Sequence, residues 1–432
     1  MVAPAEPLDG CERRFECGLR GRMGGLSPYR RAVVRRAAPR PIHDGELCKN
    51  GECRGRSAVR TLVVNALRMS DQRTGQGRHI EFLIQQWSRM KIPFDRLTLM
   101  SPGELHLENL GDATPVNLRT FGGWLPTILW EQVCLPERAR GTAMLFCPSY
   151  TSPLFHRGSV VLANHGIYEA LSGEFPLLAR LRSTPLQRYS ARQARRVIAN
   201  SLATRADLVR FFHIPEAKID TIYPAAHDFF FQRHDPASIE AEVVRTIGRK
   251  APYVIFVGKL AKRRNVPNLI EAFALVRREL DLPHHLLIVG PNTTRLPVAE
   301  LACAHGINDA VTYRPYVELE PLARLYAGAD LFALPTVYEG ISQTMFEAMA
   351  SGTAVLTVDH PTLEEGAGNA ALSLPTPSVE NLVKGLKSLL TNPELRRAYA
   401  EKGRQRAKRF TWETVARETM EILDREASPA DS

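Results

Sequence analysis

Two glutamates near the end of the chain, Glu339 and Glu347, bracket a polar turn between two apolar stretches. The strand-like run DLFALP (330–335) precedes the turn, and QTMFEAMAS (343–351) follows it as a predicted helix. Such a helix, beginning near Ser342, would direct free backbone N–H groups at a ligand and form an anion site. A carboxylate beside an anion site is unfavourable unless it accepts hydrogen bonds from hydroxyl groups. The turn therefore suits a ligand that combines an anion with hydroxyl groups.

Glycine and positive charge follow two other predicted strands in the same half of the chain. The stretch FVGKLAKRRN places glycine and four cations where a diphosphate would meet fixed positive charge, namely Gly258, Lys259, Lys262, Arg263 and Arg264. Gly290 ends the run HLLIVG, and a residue without a Cβ lets the backbone approach a ligand. Taken singly, a basic cluster is more often an exposed face than a phosphate site. Together the acids, the cations and the helix start match a nucleotide sugar, which has hydroxyl groups at both ends and a diphosphate between them.

Short apolar, β-branched runs alternate with amphipathic stretches from Arg60 onwards. They form two series, and the predicted strands lie at 61–66, 143–147, 159–164, 196–200 and 219–224, then at 253–258, 285–290, 310–313, 330–335 and 354–358. Continuous runs of this kind are typical of parallel sheets that helices cover on both faces. The predicted fold class is α/β, with two doubly wound parallel-sheet domains in tandem. Ligands of such sheets bind beyond the carboxyl ends of the strands, so we expect the site in the cleft between the domains.

The chain has 432 residues and a formal net charge of +10, and much of the excess charge lies in its first 58 residues. That segment holds eleven Arg and one Lys against seven acidic residues, without a sustained hydrophobic period. We predict that residues 1–58 form a disordered, Arg-rich tail. The tail lacks the row of aromatic side chains that a single-strand nucleic-acid platform needs, so nucleic acid is not an expected partner.

The sequence predicts no membrane span, but one basic stretch could meet a membrane surface. No run of about 18 apolar residues occurs, and the first 30 residues lack the continuous apolar segment of a secretion signal. We therefore expect a cytoplasmic location. Residues 175–206 hold seven arginines, several leucines and no acidic residue. This pattern suits anionic lipid or a lipid-linked acceptor, which would place the protein peripherally at the cytoplasmic face of the membrane. The open alternative is a solvated helix face.

Three segments carry a resemblance to a known family, namely VGKLAKRRNVPNLIEAF (257–273), GADLFALPTVYEGISQTMFEAMASGTAVL (328–356) and RFTW (409–412). They resemble the retaining family-4 glycosyltransferases, or glycosyl transferases group 1, which have the GT-B fold and an E-x7-E signature. Glu339 and Glu347 have that spacing. The resemblance covers most of residues 60–425, and the second half carries its specific part.

The resemblance implies two Rossmann-like domains that face a central cleft. Residues 59–235 would bind the acceptor, residues 236–410 would bind the nucleotide sugar, and a helix at 411–428 would pack back on the first domain. The implied reaction moves a hexosyl group from a UDP-, GDP- or ADP-sugar to a hydroxyl of a glycan, lipid-linked or polysaccharide precursor. It retains the anomeric configuration. No cofactor and no metal are expected, because the chain contains no D-x-D motif of the metal-dependent class.

The resemblance also assigns roles to individual residues. Glu339 would face the transferred sugar, either as a nucleophile or as a group that orients it, and we favour orientation. His165, in LANHGIYEA, corresponds to the active-site histidine of the family. Lys259 and Arg264 would hold the donor diphosphate, and Glu347 would bind the nucleotide ribose. The complete predicted donor set is Gly258, Lys259, Arg264, Gly290, Gly340, Ile341, Ser342, Gln343, Thr344 and Glu347.

Acceptor residues are expected in the first half. The stretch RTGQGRHIEFLIQQW (73–87) resembles the glycine-rich loop that opens the first long helix of the family. It suggests Gly75, Gly77 and Arg78 as acceptor-binding residues. The loop is not a dinucleotide fingerprint, because Ile80 occupies the position of the third glycine, and this disfavours an NAD-dependent dehydrogenase.

Two other functions stay open at this point. A GT-B enzyme could epimerise or phosphorolyse sugars instead of transferring them. A non-enzymatic protein could bind nucleotide sugars, or could bind nucleic acid through the Arg-rich tail. Product analysis separates the first alternative from glycosyl transfer, and survival of function after loss of Glu339 and Lys259 would indicate the second.

Overall fold

The computed structural model describes residues 59–69, 75–168 and 177–427, which belong to one compact unit. Two parallel β-sheets that follow one another along the chain form the framework of this unit. The predicted Arg-rich tail at 1–58 lies outside the described residues, as does the beginning of the basic stretch at 175–206.

The first half of the described chain forms a seven-stranded sheet. Its strands are β1 (Thr61–Asn65), β2 (Arg96–Ser101), β3 (Val116–Thr120), β4 (Met144–Cys147), β5 (Val160–Asn164), β6 (Arg196–Ala199) and β7 (Ile219–Thr221). Their order is β3-β2-β1-β4-β5-β6-β7, and every pairing is parallel. The order reverses direction beside β1, so the crevice at its carboxyl end is where a doubly wound sheet binds ligands.

The second half forms a six-stranded sheet. Its strands are β8 (Tyr253–Val257), β9 (His285–Val289), β10 (Val311–Arg314), β11 (Leu331–Ala333), β12 (Val355–Val358) and β13 (Leu372–Leu374). They are ordered β10-β9-β8-β11-β12-β13, again with parallel pairing throughout. Here the reversal lies beside β8. The structure therefore confirms the predicted α/β class with two parallel-sheet domains.

Helices cover both sheets. The first half contains α1 (Gly75–Arg89), α2 (Thr127–Leu129), a π-helical turn (Trp130–Cys134), α3 (Leu135–Arg138), α4 (Leu177–Gln193) and α5 (Leu202–Phe212). The second half contains α6 (Pro236–Ile247), α7 (Val266–Glu279), α8 (Val298–Ala304), α9 (Leu319–Ala327), α10 (Gln343–Ala350), α11 (Pro361–Ala367), α12 (Val379–Leu390) and α13 (Pro393–Ala407). The last helix is α14 (Trp412–Glu426).

The sequence analysis did not predict three of the strands, namely β2, β3 and β13. The edge strand β3 has four exposed residues and one partly buried residue, so its sequence VNLRT shows no continuous apolar run. The strand β13 has only three residues, LSL. In β2 an arginine, a threonine and a serine leave RLTLMS without a continuous apolar run, although five of its six residues are buried. Short or edge strands give the weakest signals, because tertiary packing rather than local pattern selects them.

The last helix covers the first sheet although it ends the described chain. Trp412, Val415 and Met420 are buried in one apolar core with residues of β1 and α1. The indole Nε1 of Trp87 on α1 donates a hydrogen bond to the carbonyl oxygen of Ala416, at 3.0 Å. The chain thus crosses from the second half back to the first, and this second covalent crossing ties the two halves together.

Membrane-spanning helices are not found in the part of the chain that the structure describes, because none of its helices has both the length and the apolar character that a bilayer requires.

Candidate functional site

Two glycines bring backbone segments into close contact at the carboxyl ends of β8 and β9. Gly258 has φ 156° and Gly290 has φ 141°, which are conformations that favour glycine. A Cβ built on Gly290 would lie 2.0 Å from the carbonyl oxygen of Gly258, so no side chain fits at that position. The guanidinium carbon of Arg264 lies 3.6 Å from where a Cβ of Gly258 would be. Glycine at 290 therefore permits close packing of the two turns, and glycine at 258 leaves room for the Arg264 guanidinium beside the backbone.

The helix that follows Glu339 begins where the sequence predicts. Ser342 is the N-cap of α10, and its hydroxyl accepts a hydrogen bond from the Met345 amide at 3.3 Å. The Ser342 hydroxyl also lies 3.1 Å from that of Thr344. The cap uses one first-turn amide and leaves those of Gln343 and Thr344 for other acceptors. The side-chain Nε2 of Gln343 is buried and lacks a hydrogen-bond partner among the described residues.

Glu339 is held by two arginines from the turn after β8. Its Oε2 accepts from Nη1 of Arg263 at 2.9 Å and lies 2.6 Å from Nη1 of Arg264. Arg263 also donates to the carbonyl oxygen of Tyr338 at 2.8 Å. Both contacts use Oε2, so Oε1 has no donor among the described residues. The carboxylate is therefore fixed in position with one oxygen left for a ligand hydroxyl.

Arg264 has hydrogen-bonding capacity that the protein does not use. Its side chain is 9% exposed, and its Nε has no hydrogen-bond partner in the described part of the chain. Burial lowers the pKa of Arg264 to about 10, against the opposing effect of Glu339, so the guanidinium is charged at neutral pH. A buried, charged and incompletely paired donor is unfavourable unless a ligand completes its hydrogen bonds.

The other predicted cation, Lys259, is placed differently. It is exposed directly after Gly258, and it takes part in no ion pair among the described residues. The two basic residues predicted to bind the diphosphate therefore lie in different environments in the ligand-free protein. Arg264 is buried against Glu339, whereas Lys259 has the freedom to turn towards an incoming anion.

Glu347 is buried within α10. It is 1% exposed, and it accepts one long hydrogen bond of 3.4 Å from the Tyr326 hydroxyl. Burial raises the pKa of Glu347 to about 7, and the positive charge of Arg78 opposes that shift. The carboxyl group is therefore close to half protonated at neutral pH, and it lacks the multiple hydrogen bonds that would stabilise its ionised form.

Replacing Glu347 with glutamine is expected to stabilise the ligand-free protein at pH 8 and to have little effect at pH 4.5. The folded-state pKa of about 7 exceeds the unfolded value of 4.5, so stability is lost as the pH rises through about 7. Glutamine cannot ionise, so the substitution removes this loss of stability. The free energy of unfolding at pH 8 should therefore rise by about 3 kcal/mol. Urea unfolding at the two pH values measures it. An equal effect of the substitution at both pH values would contradict the assignment.

His165 lies at the carboxyl end of β5 on the opposite side of the cleft. Its Nε2 lies 3.0 Å from the carbonyl oxygen of Pro148. Its ring is 5.0 Å from that of His79 and 5.9 Å from that of Tyr150. Burial lowers the pKa of both histidines, and repulsion between them lowers the pKa of His79 further. Both imidazoles are therefore neutral at pH 7.

The loop with Glu339 touches the first half of the protein. A Cβ on Gly340 would lie 2.0 Å from the carbonyl oxygen of His165, so only glycine permits this approach. The hydroxyl of Ser201 donates to the carbonyl oxygen of Gly340 at 2.7 Å. The Tyr338 hydroxyl donates to Asp207 at 3.0 Å. Three contacts thus fix the acid loop against the first half, beside His165.

The predicted acceptor residues Gly75, Gly77 and Arg78 lie in the first turn of α1. Gly75 is exposed, with open space where a Cβ would be. Arg78 points towards the second half, since its guanidinium carbon is 6.0 Å from the ring centre of Tyr316 and its charge acts on Glu347. These contacts bring Arg78 to the predicted donor side of the cleft.

The structure thus brings together Gly258, Arg264, Gly290, Glu339, Gly340 and His165, while Lys259 and Gly75 stay exposed at its edge. The sequence did not predict two participants, His79 and Tyr338. Arg263 belongs to the predicted basic run, where the sequence assigned it to a diphosphate, and the structure pairs it with Glu339. Nothing in the local sequence marks His79 or Tyr338, because His79 meets the distant His165 within the first half and Tyr338 meets Asp207 across the two halves of the chain.

Both halves match glycosyltransferase families. Residues 239–406 match the family model described as Glycosyl transferases group 1. Residues 73–228 match the model described as Glycosyltransferase Family 4. The second match covers the first sheet from β2 to β7, and the first match covers the second sheet together with Glu339 and Glu347.

Curated relatives are similar over about half of this chain. O-antigen chain mannosyltransferase B of Escherichia coli is 25% identical over 228 residues, which are 52% of this chain and 60% of the relative. The N-acetylgalactosamine-N,N'-diacetylbacillosaminyl-diphospho-undecaprenol 4-alpha-N-acetylgalactosaminyltransferase of Campylobacter jejuni is 26% identical over 230 residues, covering 52% and 59%. The matches thus span 60% of the length of the Escherichia coli relative and 59% of the length of the Campylobacter jejuni relative.

Solved structures share the fold over a larger span. Alr3699/HepE of Anabaena, crystallised with UDP and glucose, superposes with a TM-score of 0.66 at 17% identity. The superposition covers 85% of this chain and 99% of that protein. The chain therefore has the two-domain GT-B fold, and each of its halves matches a glycosyltransferase family.

Proposed function

We propose that this protein is a glycosyltransferase that moves a sugar from a nucleoside-diphosphate sugar to an acceptor hydroxyl. The reaction we propose retains the anomeric configuration and needs no metal or other cofactor. One observation carries the proposal, namely the buried contact of Glu339 with Arg263 and Arg264 beside two close-packed glycine turns and the start of α10. This group offers fixed positive charge, free amides and a carboxylate oxygen within one cleft.

The donor diphosphate would lie against the carboxyl ends of β8 and β9. Arg264 would supply its unused donor there, Lys259 would turn in from the exposed edge, and the amides at the start of α10 would complete the anion site. Glu347 would accept hydrogen bonds from the ribose hydroxyls, which favour its ionised form. Gly258 would let the phosphates approach the backbone, and Gly290 would permit the close packing that holds Gly258 in place.

Transfer would break the bond between the anomeric carbon and the β-phosphate oxygen. Negative charge grows on the leaving diphosphate, and stabilising that charge is the main catalytic task. Arg264, Lys259 and the start of α10 would perform it. Glu339 would orient the sugar through its free Oε1, and neutral His165 would contact the sugar from the other side of the cleft. The acceptor oxygen would bond to the anomeric carbon on the same face, and its proton would pass to the leaving phosphate.

The relatives support this class of donor and acceptor. The Escherichia coli relative is named a mannosyltransferase, and the name of the Campylobacter jejuni relative contains a diphospho-undecaprenol acceptor. The Anabaena structure holds UDP and glucose. We propose by analogy a UDP-, GDP- or ADP-sugar as donor and a glycan or lipid-linked sugar as acceptor. Acceptors of this kind suggest a cytoplasmic protein that works at the membrane surface.

A donor screen tests the proposal. We expect at least one UDP-, GDP- or ADP-sugar to raise the melting temperature in EDTA, because ligand at about 100 times its Kd stabilises a protein by about 2.7 kcal/mol. The same donor should release nucleoside diphosphate during turnover, and NMR of the product should show the donor's anomeric configuration. Absence of any shift or turnover across the panel would contradict the function. Activity only after addition of Mg²⁺ or Mn²⁺ would contradict metal independence, and an epimer or a sugar phosphate as product would contradict transfer.

A further inference from the structure

Large apolar side chains are unusually exposed on one surface of the first half. Trp124 is 85% exposed, Phe155 is 84% exposed and Val133 is 61% exposed. Ile128 and Leu129 are also exposed. We call these five residues the aromatic surface. Single exposed apolar residues are ordinary, but a group that contains an almost fully exposed Trp and Phe indicates a surface that contacts another apolar phase.

The five residues are neighbours in space. Leu129 and Val133 are separated by four residues on one helical face, and Trp124 lies in the loop before that helix. Gln132 connects the helix to Phe155, because its Nε2 donates to the Ser152 carbonyl at 3.2 Å and its Oε1 accepts from the Leu154 amide at 2.9 Å. The two segments that carry these five exposed residues, 124–133 and 152–155, therefore lie side by side.

The helix α4 extends this patch with an aromatic ring and arginines. Gln193 of α4 donates to the Leu154 carbonyl at 2.7 Å, directly before Phe155. Tyr189, four residues earlier and on the same face, is 54% exposed. Arg192 and Arg195 are exposed near the same helix end, where Nε of Arg192 donates to the Phe212 carbonyl at 3.2 Å and Nη1 of Arg195 donates to the Glu426 carbonyl at 3.4 Å. The helix that carries Tyr189 thus adjoins the Phe155 segment and ends among exposed arginines.

Charge around the aromatic surface is positive. Residues 115–160 contain four arginines and two glutamates, and one of these acids, Glu131, is buried. All four arginines are exposed, namely Arg119, Arg138, Arg140 and Arg157. Residues 177–205, which include α4, contain seven arginines and no acid, although Arg196 pairs with Asp220 and Arg205 pairs with Glu216. An apolar patch surrounded by positive charge is complementary to a phase that has an anionic surface and an apolar interior.

The patch also lies next to the cleft. Glu131, two residues before Val133, accepts from Asn65 at the end of β1 at 2.9 Å and from Thr151 at 2.8 Å. Tyr150, the residue before Thr151, packs on the His165 ring. A short chain of contacts therefore connects the aromatic surface to the acceptor side of the candidate site.

We propose that the aromatic surface docks on an anionic lipid bilayer, with Trp124, Phe155 and Tyr189 at the headgroup level and the arginines on the lipid phosphates. Indole and phenol rings favour the membrane interface because one part is apolar and another polar. Arginines near anionic lipid add attraction that salt weakens. This inference deepens the proposed function, because a docked cleft would meet a lipid-linked acceptor at the bilayer. Its test is independent of catalysis.

Tryptophan fluorescence tests the docking directly. The chain contains four tryptophans, and Trp87, Trp130 and Trp412 are buried, so Trp124 alone is placed to respond to lipid. We expect vesicles of phosphatidylcholine with phosphatidylglycerol to shift the emission of the full chain to shorter wavelength. Brominated acyl chains in those vesicles should quench it. Vesicles of phosphatidylcholine alone should act much more weakly.

A variant pair completes the test. The double variant Trp124→Ser and Phe155→Ser should bind the anionic vesicles at least tenfold more weakly in co-sedimentation, with unchanged circular dichroism. Val244→Ser removes an exposed apolar side chain from α6 in the second half and should bind as the parent does. The Arg-rich residues 1–58 are common to all these proteins, so their contribution cancels in the comparison.

Three results would overturn the inference. The first is a tryptophan emission that anionic vesicles leave unchanged, and the second is a double variant that binds these vesicles as well as the parent does. The third is a dimer in sedimentation velocity that the double variant loses, while vesicles have no effect on the parent. The last result would assign the patch to a second copy of this chain. Vesicle binding without any nucleotide-sugar response would leave the docking supported and the proposed function contradicted, so the two failures are distinguishable.

Discussion

Replacing Glu339 with glutamine is expected to reduce sugar transfer by about 10²–10³-fold, which is the typical effect of losing one preorganised electrostatic group in an active site. Glutamine keeps the volume of the side chain but removes the charge that pairs with two arginines and that, in the proposed reaction, orients the sugar. Arg264 would then be buried without its counterion, and breaking a buried ion pair costs about 3–5 kcal/mol. The measurements are kcat at saturating donor and the melting temperature.

The structure supplies a matched control for Glu339→Gln. Glu364 is exposed at the start of α11 and pairs with no cation among the described residues, so Glu364→Gln should leave turnover unchanged and lower stability by at most about 1 kcal/mol, the effect of one charge at a helix start. A Glu339→Gln protein that is folded by circular dichroism and turns over at the parent rate would remove Glu339 from the reaction. Loss of stability with full turnover would make Glu339 a structural counterion for the two arginines only.

Replacing Arg264 with glutamine is expected to weaken the binding of nucleoside diphosphate by about 10–100-fold, because a hydrogen bond to a charged group contributes about 1.5–3 kcal/mol. Arg264 is the buried cation beside Gly258, and its Nε has no protein partner among the described residues. Arg263 would still hold Glu339, so the carboxylate that we propose to face the sugar should stay in place. Isothermal titration with the nucleoside diphosphate of the preferred donor measures the change.

Lys262→Gln is the control for the Arg264 prediction. Lys262 lies in the same 3₁₀ turn and carries the same charge, but it is exposed. Its substitution should change diphosphate affinity by less than the substitution of Arg264, and that small change should disappear in high salt. Equal losses in both variants at high salt would show that the turn acts through general positive charge, which contradicts a specific role for Arg264.

Local sequence was sufficient for the framework of the fold. Runs such as YVIFV and HLLIV are continuous and β-branched because both faces of their sheet are covered, and these strands are completely buried. The same reasoning failed for β3, whose residues are mostly exposed at a sheet edge, and for the three-residue strand β13. Their pairing depends on neighbours that a single segment does not contain.

The candidate site was predictable where its parts are close in sequence. Glu339, Ser342 and Glu347 belong to one strand-turn-helix unit, so their spacing identified the turn and the start of α10. The ion pair of Arg264 with Glu339 joins positions 75 residues apart and depends on adjacent strands β8 and β11. Contact between Gly340 and His165 depends on how the halves meet. The residue types identified the charged groups of the site, but only the fold showed which of these groups form ion pairs.

A crystal structure with the nucleoside diphosphate that the donor screen selects is the most direct test of the central claim. We predict that its β-phosphate lies within hydrogen-bonding distance of Arg264 and of the Gln343 and Thr344 amides, with Lys259 turned towards it. Glu347 should accept from the ribose. A nucleotide bound elsewhere, with Arg264 contacting Glu339 alone and the start of α10 unoccupied, would contradict the account.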